Sequence, residues 1–372
     1  MKSGWVTKKL GEVCEDSIRR LKEIDDSRFL YIDISSIDRV RKTVIGATEY
    51  DRTSAPGRAQ QVVEAGDVLV STVRPNLNAV AIVEGRSDFR RIASTGFCVL
   101  RAGECVIPRY IYYFTQVDEF IAPLVAVSEK AAYPSVTDKI VKNVDIPIPP
   151  LAEQKRIVAK IDAAFEKIDA LKANAEKNLA NAKELFQSAL DEAMRPKPGW
   201  VEKRLGEVCD TITAKGHQIQ QKEIVESGKY PVVSQSEQFI EGYTDFNEPV
   251  KSVPVILFGD HTCCSKYIDF PFVVGADGTK LLKVNQGYAK YFYYVILKIG
   301  ISLVDGKYRR HFKDLKKAGV HLPPIDEQQR LAKQLDSLSQ KTETLQQNYA
   351  RQIADCAEMR QAILREAFEG RL

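Results

Sequence analysis

The sequence predicts an α+β protein of two mixed α/β bodies, each followed by a long helix, with the two helices pairing as an antiparallel coiled coil in pseudo-two-fold symmetry. Three observations lead there. The chain repeats itself in order. Each repeat ends in a long stretch without proline or glycine that carries a heptad apolar pattern. Each body mixes short strand-like runs with one amphipathic helix.

The repeat comes first because it organises everything else. Gly4-Trp-Val-Thr-Lys-Lys-Leu-Gly-Glu-Val-Cys14 returns as Gly199-Trp-Val-Glu-Lys-Arg-Leu-Gly-Glu-Val-Cys209, with 9 of 11 positions identical. Ile148-Pro-Pro-Leu-Ala-Glu-Gln-Lys-Arg156 returns as Leu322-Pro-Pro-Ile-Asp-Glu-Gln-Gln-Arg330, and Leu190-Asp-Glu-Ala193 as Leu364-Arg-Glu-Ala367. The offset falls from 195 to 174 between the first match and the second, so the first body is 21 residues longer and the tails are equal. This divides the chain into a first body at 1–150, a first helix at 151–195, a second body at 196–324 and a second helix at 325–372.

The helices start behind double prolines, which hold the preceding residue extended. Glu153, Asp326 and Glu327 suit the positive end of a helix dipole. Neither tail contains proline or glycine before Pro196 and Gly370. The expected seam of the first tail is Ile161, Ala164, Ile168, Leu171, Ala175, Asn178, Ala182, Leu185 and Ala189. The second tail repeats that phase with Leu335, Leu338, Thr342, Leu345, Tyr349, Gln352, Cys356, Met359 and Ile363. About 43 residues at 1.5 Å rise make a rod of roughly 64 Å. Two equivalent stripes in one chain predict an intramolecular antiparallel pair.

In the first body, Arg28–Ile34, Asp67–Val73, Ala79–Val83 and Gly96–Leu100 read as strands and Pro108–Phe120 as a helix with Tyr110, Tyr112, Tyr113 and Phe114. In the second, Val253–Phe258 is a strand and Tyr288–Ile299 the matching helix. Both bodies close with a strand running into the double proline.

Composition excludes several classes. A hydrophobic fraction of 44% and a charged fraction of 28% are those of an ordinary globular protein. No apolar run approaches the roughly 20 residues of a membrane span. The opening Met1-Lys2-Ser3-Gly4-Trp5 lacks the apolar core of a secretory signal. Cys14, Cys98, Cys105, Cys209, Cys263, Cys264 and Cys356 have no C-x-x-C spacing, so no disulfide framework or metal site is expected, and the location is expected to be cytoplasmic. Net charge is only +4. Asp305–Lys317, however, sets Lys307, Arg309, Arg310, Lys313, Lys316 and Lys317 against Asp305 and Asp314, a candidate phosphate-contacting edge.

There is no P-loop, no nucleophile elbow and no glycine-rich loop of the methyl-donor or dinucleotide type, so no catalytic residue or cofactor is expected in this chain. Gly259-Asp260-His261-Thr262-Cys263-Cys264 sets Asp, His and Cys side by side, but successive residues of an extended segment face opposite ways. Contact with nucleic acid suits His261 and Thr262 better, with Lys266 and Lys280 counted beside them. In the first body Ser71, Thr72, Arg74, Asn76 and Asn78 leave a strand end. Arginine can read guanine, Asn adenine, and hydroxyls bind phosphate. Arg58, Gln60 and Gln61 form a second polar cluster. Tyr133, Ser135 and Lys139 precede the first closing strand as Lys307, Tyr308, Arg309, Arg310, His311 and Lys313 precede the second, so both are candidate duplicated DNA-facing loops.

With the duplication, the two Pro-Pro-x-x-Glu-Gln-x-Arg helix starts and the long tails in place, the chain resembles the specificity subunit of type I restriction–modification systems over essentially its whole length. Gly-Trp near each body start and Asp260-His261-Thr262 add to the likeness. The resemblance implies that the bodies are target-recognition domains, each reading one half of a split, asymmetric sequence of double-stranded DNA. It implies that the helices form a spacer on which two methyltransferase subunits dock, and that restriction subunits can join them. S-adenosylmethionine, ATP and Mg2+ would then belong to those partners, with no cofactor on this chain. The alternatives are a recognition subunit of another defence or modification system and a coiled-coil scaffold that binds no DNA.

Overall fold

The computed structural model describes residues 4–129, 134–275 and 278–372. They form two compact units: residues 4–174 with 352–372, and residues 175–351. The boundary falls inside both long helices.

The first unit begins with β1 (Val6–Lys9) and the one-turn α1 (Leu10–Val13). Its strands follow as β2 (Arg28–Ile32), β3 (Ile37–Asp38), β4 (Thr43–Val44), β5 (Thr48–Asp51), β6 (Ala59–Val63), β7 (Val68–Ser71), β8 (Val80–Ile82), β9 (Arg91–Ser94) and β10 (Phe97–Leu100). Then come α2 (Pro108–Phe114), α3 (Asp118–Ser128), α4 (Asp138–Lys142), β11 (Asp145–Ile148) and α5 (Leu151–Ala193). Sheet order is β5-β2-β9-β6 in one sheet and β10-β7-β8 in another, while β1 pairs with β11 and β3 with β4.

The second unit holds β12 (Val201–Arg204), α6 (Leu205–Val208), β13 (Cys209–Ile212), β14 (Tyr230–Val233), β15 (Gly242–Thr244), β16 (Val255–Gly259), β17 (Ser265–Ile268), β18 (Val273–Val274) and β19 (Thr279–Val284). It continues with α7 (Ala289–Leu303), α8 (Phe312–Lys317), β20 (Gly319–Leu322) and α9 (Ile325–Phe368), the last shared with the first unit. Its sheets run β13-β19-β16-β17 and β15-β14-β18, and β12 pairs with β20.

The repeated motifs do the same work in both units. Strand β1 lies antiparallel to β11, with Val6 opposite Ile148, and β12 to β20, with Val201 opposite Leu322. The Leu-Gly-Glu-Val turn then buries Leu10 and Val13 in one unit and Leu205 and Val208 in the other. A Cβ on Gly11 would stand 3.3 Å from the Lys142 carbonyl, and one on Gly206 3.2 Å from that of Lys316, so glycine lets the turn close against α4 and α8.

The Glu-Gln-x-Arg signature is explained by its glutamine. Gln154 is fully buried, accepts from the Ile107 amide at 3.0 Å and donates to the carbonyls of Cys105 and Pro149. Gln328 likewise accepts from the Tyr288 amide at 2.8 Å and donates to the Pro323 carbonyl. Each ties the start of the long helix to the start of α2 or α7, whose first amides lack helical partners. Glu153 and Arg156, and Glu327 and Arg330, pair on the exposed side. Arg330 and Lys197 hold the Glu327 carboxyl down at about 2.

Within the first unit the end of α9 runs back along the start of α5. Arg156 donates to the Leu372 carbonyl, Arg360 pairs with Asp169, and the Arg360 guanidinium lies 4.2 Å from the centre of the Phe165 ring. Phe368 packs against Tyr110 and Phe114. In the second unit Leu190 and Met194 share a core with Leu331, Ala332 and Leu335.

Three expectations need correction. The long helices end at Ala193 and Phe368, short of 195 and 372. The helix expected over Pro108–Phe120 breaks after Phe114, and a second one starts at Asp118. One row of the heptad seam is also one residue out of phase. Ile161, Ile168, Ala175, Ala182, Leu335, Thr342 and Cys356 are buried as expected, but Leu171 is 56% and Leu185 52% exposed. Phe165 and Phe186 occupy the alternate row instead.

Candidate nucleic-acid interface

In both units a loop leaving a central strand is fastened to the segment that precedes the closing strand. In the first unit β7 runs out into Thr72–Asn78. The Val136 amide donates to the Thr72 carbonyl at 2.9 Å, the Arg74 amide donates to the Pro134 carbonyl at 2.7 Å, and Val73 bridges Ser135. The loop closes on a tight turn over Pro75–Leu77, entered and left through left-handed residues, Arg74 at φ 50° and Asn78 at φ 40°. Arg74 and Asn76 are exposed, and so is Lys139 on the facing segment.

The second unit solves the same problem with different chemistry. Strand β16 ends at Gly259. The Asp260 carbonyl accepts from the His311 amide at 2.8 Å, and its carboxylate accepts from the Phe312 amide at 2.9 Å. Asp260 is thus the internal partner that folds Asp305–Lys313 against the strand end. The His261 ring stacks on Tyr308, which is 87% exposed. The Thr262 hydroxyl donates to the Gln235 carbonyl at 2.8 Å. Lys280 stands 4.0 Å from the Asp260 carboxylate and lies over Phe312.

The candidate residues therefore divide. Arg58, Gln60, Arg74, Asn76, Asn78, Ser135, Lys139, His261, Thr262, Lys280, Lys307, Tyr308, Arg310 and Lys313 keep at least part of their surface open. Tyr133 lies outside the described residues. Gln61 is buried and donates to the carbonyls of Ser94 and Phe97 at 2.9 and 2.8 Å, so it locks strands rather than facing outward. The Ser71 and Thr72 hydroxyls are buried on the carbonyls of Val73 and Gly96 and shape the loop. Lys266 is buried with its ammonium on the carbonyls of Ser234 and Gln238, and burial depresses its pKa. It pins the loop that in turn holds Thr262. His311 is 2% exposed and acts through its backbone. Arg309 is bound to Asp305 at 3.0 Å and Asp314 at 2.6 Å, which removes much of the free charge expected of it.

Sequence reasoning missed the organising role of Asp260 and the part played by Gln235, because neither contact has a local signal. It also missed a concentration of unmet polarity. The described residues include four buried side-chain polar atoms without a hydrogen-bond partner: His261 Nδ1, His311 Nδ1, Ser265 Oγ and Thr279 Oγ1. All belong to the β16–β17–β19 region or the segment fastened to it. No group of three His, Cys, Asp or Glu side chains among the described residues could hold a metal ion. No helix among them is long and apolar enough to cross a membrane.

A family model described as the type I restriction modification DNA specificity domain matches residues 2–181 and again 197–353. The specificity subunit of the type I restriction enzyme EcoR124I/EcoR124II of Escherichia coli is 25% identical over 114 residues, which are 29% of this chain and 28% of that one. The HindI specificity subunit of Haemophilus influenzae is 22% identical over 45% of this chain and 36% of its own length. That of StySPI, from Salmonella potsdam, is 22% identical over 342 residues, covering 78% of this chain and 72% of the relative. Against the first two, then, the chain spans only about a third of the relative's length. Among solved structures, a chain from work on complex assembly and conformational transition of the type I R-M system superposes with a TM-score of 0.84 at 30% identity, covering 100% of this chain and 99% of that one. The HsdS subunit from Thermoanaerobacter tengcongensis gives 0.63 at 29% identity, covering 100% and 98%.

Proposed function

The chain belongs to the type I restriction–modification DNA specificity family, and on that premise we propose that it reads a bipartite, asymmetric double-stranded DNA sequence, one half with each unit. The observation that carries this reading is the fastened pair of loops, present in both units at equivalent places and built from different residues. Equivalent placement suits two half-sites; different side chains suit two different sequences. Arg74 and Asn76 in one unit, and Tyr308, Arg310 and Lys313 in the other, offer phosphate and base-edge contacts.

In this reading the chain itself does no chemistry. The Asp260 carboxylate is engaged by the Phe312 amide and the Thr262 hydroxyl by a carbonyl. Burial raises the thiol pKa of both Cys263 and Cys264, away from the thiolate a nucleophile needs. Methyl transfer, ATP-driven translocation and cleavage would reside in partner subunits, which would bring S-adenosylmethionine, ATP and Mg2+.

Two methyltransferase subunits would dock on the long helices. Leu171 and Met359 in the first unit and Leu185 and Leu345 in the second are exposed on those helices, 40% to 56% each. Leu171 and Leu345 are equivalent positions of the repeat, as are Leu185 and Met359, so the apolar sites come in matched pairs. Equivalent sites suit two copies of one partner. The second unit adds a cleft of about 470 Å³ lined by Met194, Tyr291, Val295, Ile299 and Ile301.

The test is an exchange of residues 1–150 for the first body of another family member, followed by genome-wide mapping of methylated adenines. One half of the target should change and the other should stay. A change in both halves would overturn the two-reader assignment. A purified complex that showed no salt-dependent DNA binding would favour the scaffold instead.

A further inference from the structure

Strands β3 and β4 form a short hairpin, Ile37 opposite Val44 and Asp38 opposite Thr43, that none of the loops above includes. Its tip is Arg39-Val40-Arg41-Lys42. Most arginines of the first unit are engaged. Arg28 pairs with Glu49 and Asp51, Arg90 with Asp26, Arg101 with Asp67, and Arg109 with Glu84 and Asp162. Arg39 and Arg41 are exposed and have no side-chain hydrogen bond or salt bridge among the described residues. Between them Val40 is 74% exposed, an apolar side chain held out in solvent.

The tip is nonetheless pinned. Asp38 Oδ1 accepts from the amides of Val40 at 2.8 Å and Arg41 at 2.9 Å. The Lys42 amide donates to the Asp38 carbonyl at 2.8 Å, and Lys42 takes a left-handed φ of 57°. Its side chain turns inward, and the ammonium donates to the Asn78 carbonyl. The Tyr112 hydroxyl donates to the Lys42 carbonyl at 3.2 Å. Asn78 ends the loop that starts at Arg74, another exposed arginine without a salt bridge among the described residues. Lys42 therefore fastens the hairpin to the candidate reading loop, and three guanidiniums without a salt bridge among the described residues sit on two joined elements.

We propose that the Arg39–Val40–Arg41 tip is a second DNA-contacting element of the first unit, its two guanidiniums taking backbone phosphates while Val40 meets the groove between them. This rests on the DNA-reading assignment and extends it to residues outside the duplicated loops. A guanidinium already held by carboxylates has less to gain from a phosphate than one without a salt bridge, and each phosphate that such a guanidinium neutralises releases counterions. Holding the tip in one conformation before binding lowers the ordering cost of that contact.

The experiment uses the full chain assembled with its modification subunits and a mixed-sequence duplex, with affinity measured across a salt series. Arg39→Ala/Arg41→Ala should reduce the salt slope by about 1.8, two contacts at about 0.9 each. Arg39→Lys/Arg41→Lys should keep the slope, because the charges remain. Thermal unfolding of the double-alanine variant should match the wild type, since both side chains are exposed and unbonded. An unchanged slope and affinity in that variant, with the wild type binding in a salt-dependent manner, would overturn the hairpin assignment and leave the duplicated loops as the reading surface. A wild-type complex without salt-dependent binding would overturn the DNA reading itself.

Discussion

The imidazole of His261 lies flat on the phenol ring of Tyr308, centroids 4.7 Å apart and planes 4° from parallel. The two residues are distant in sequence and meet because Asp260 folds the basic segment back on the strand end. Replacing Tyr308 with Ala leaves that fold intact, since the ring is largely in solvent. The expected outcome is a loss of DNA affinity of about two- to tenfold, the range set by aromatic contacts worth about 0.5–1.5 kcal/mol. Tyr308→Phe should retain most of the affinity. Equal binding by the Ala variant in a titration would show that the exposed ring does not touch DNA.

Arg309 and Arg310 are adjacent and should behave differently. Arg309 closes the turn through Asp305 and Asp314, and both carboxyls are held below their ordinary values, Asp305 first by the Lys307 amide and then by Arg309, Asp314 by Arg309. Arg310 has no such partner among the described residues. Arg310→Ala should lower the salt slope of DNA binding by about 0.9. Arg309→Ala should chiefly loosen the segment, visible as faster amide exchange at Asp305–Lys313. If both variants lowered the slope equally with protection unchanged, Arg309 would be a phosphate contact despite its pairing.

The buried glutamine of the helix start should matter for stability. Gln154→Leu leaves the Ile107 amide and two carbonyls without their partner, at a cost of about 1–3 kcal/mol. Gln328→Leu should cost a similar amount in the second unit. Urea unfolding of each variant measures it. A loss inside the ±0.5 kcal/mol scatter of surface substitutions would remove the glutamine from this role.

Lys42 should make the first unit sensitive to alkaline pH. Burial, aided by the charge of Arg39, lowers its pKa from 10.5 to about 8. The unfolded chain therefore holds the proton more readily between about pH 8 and the ordinary lysine value. Stability contributed at this site rises with pH across that window, and the desolvation penalty is full below it. Relative to Lys42→Met, the wild type should gain stability between pH 8 and 10 in denaturant titrations. A constant difference would mean that the ammonium is not desolvated.

Much of the architecture was legible because the chain says it twice. The duplicated Pro-Pro-x-x-Glu-Gln-x-Arg segments placed the closing strands and the helix starts within a few residues. The seam was half legible. Leu171 and Leu185 fit the heptad spacing and Phe165 and Phe186 do not, although the phenylalanines are the ones that pack. Strand β6 escaped notice because Gln60 and Gln61 interrupt its apolar alternation, and β9 because Arg91 and Ser94 leave only Ile92 and Ala93 between them. The loops were legible as regions and not as side chains. Gln61, Ser71, Thr72 and Lys266 look like ligands in sequence because they are polar, yet each meets a backbone carbonyl that only the fold brings near. The hairpin tip had the opposite problem: its free arginines resemble any charged turn until their neighbours are seen to be paired.

The division of the chain also has a consequence for its biosynthesis. The second unit is one continuous segment, Ala175–Arg351, while the first needs Gln352–Leu372 to cover Tyr110 and Phe114 with Phe368. Translation proceeds from the amino end, so the first body leaves the ribosome before its own lid has been made. It must wait, with aromatic surface uncovered, through the synthesis of the whole second unit. The part of the chain that is born first is thus the part that matures last, and a premature stop just before Gln352 would cripple the older body while sparing the younger one.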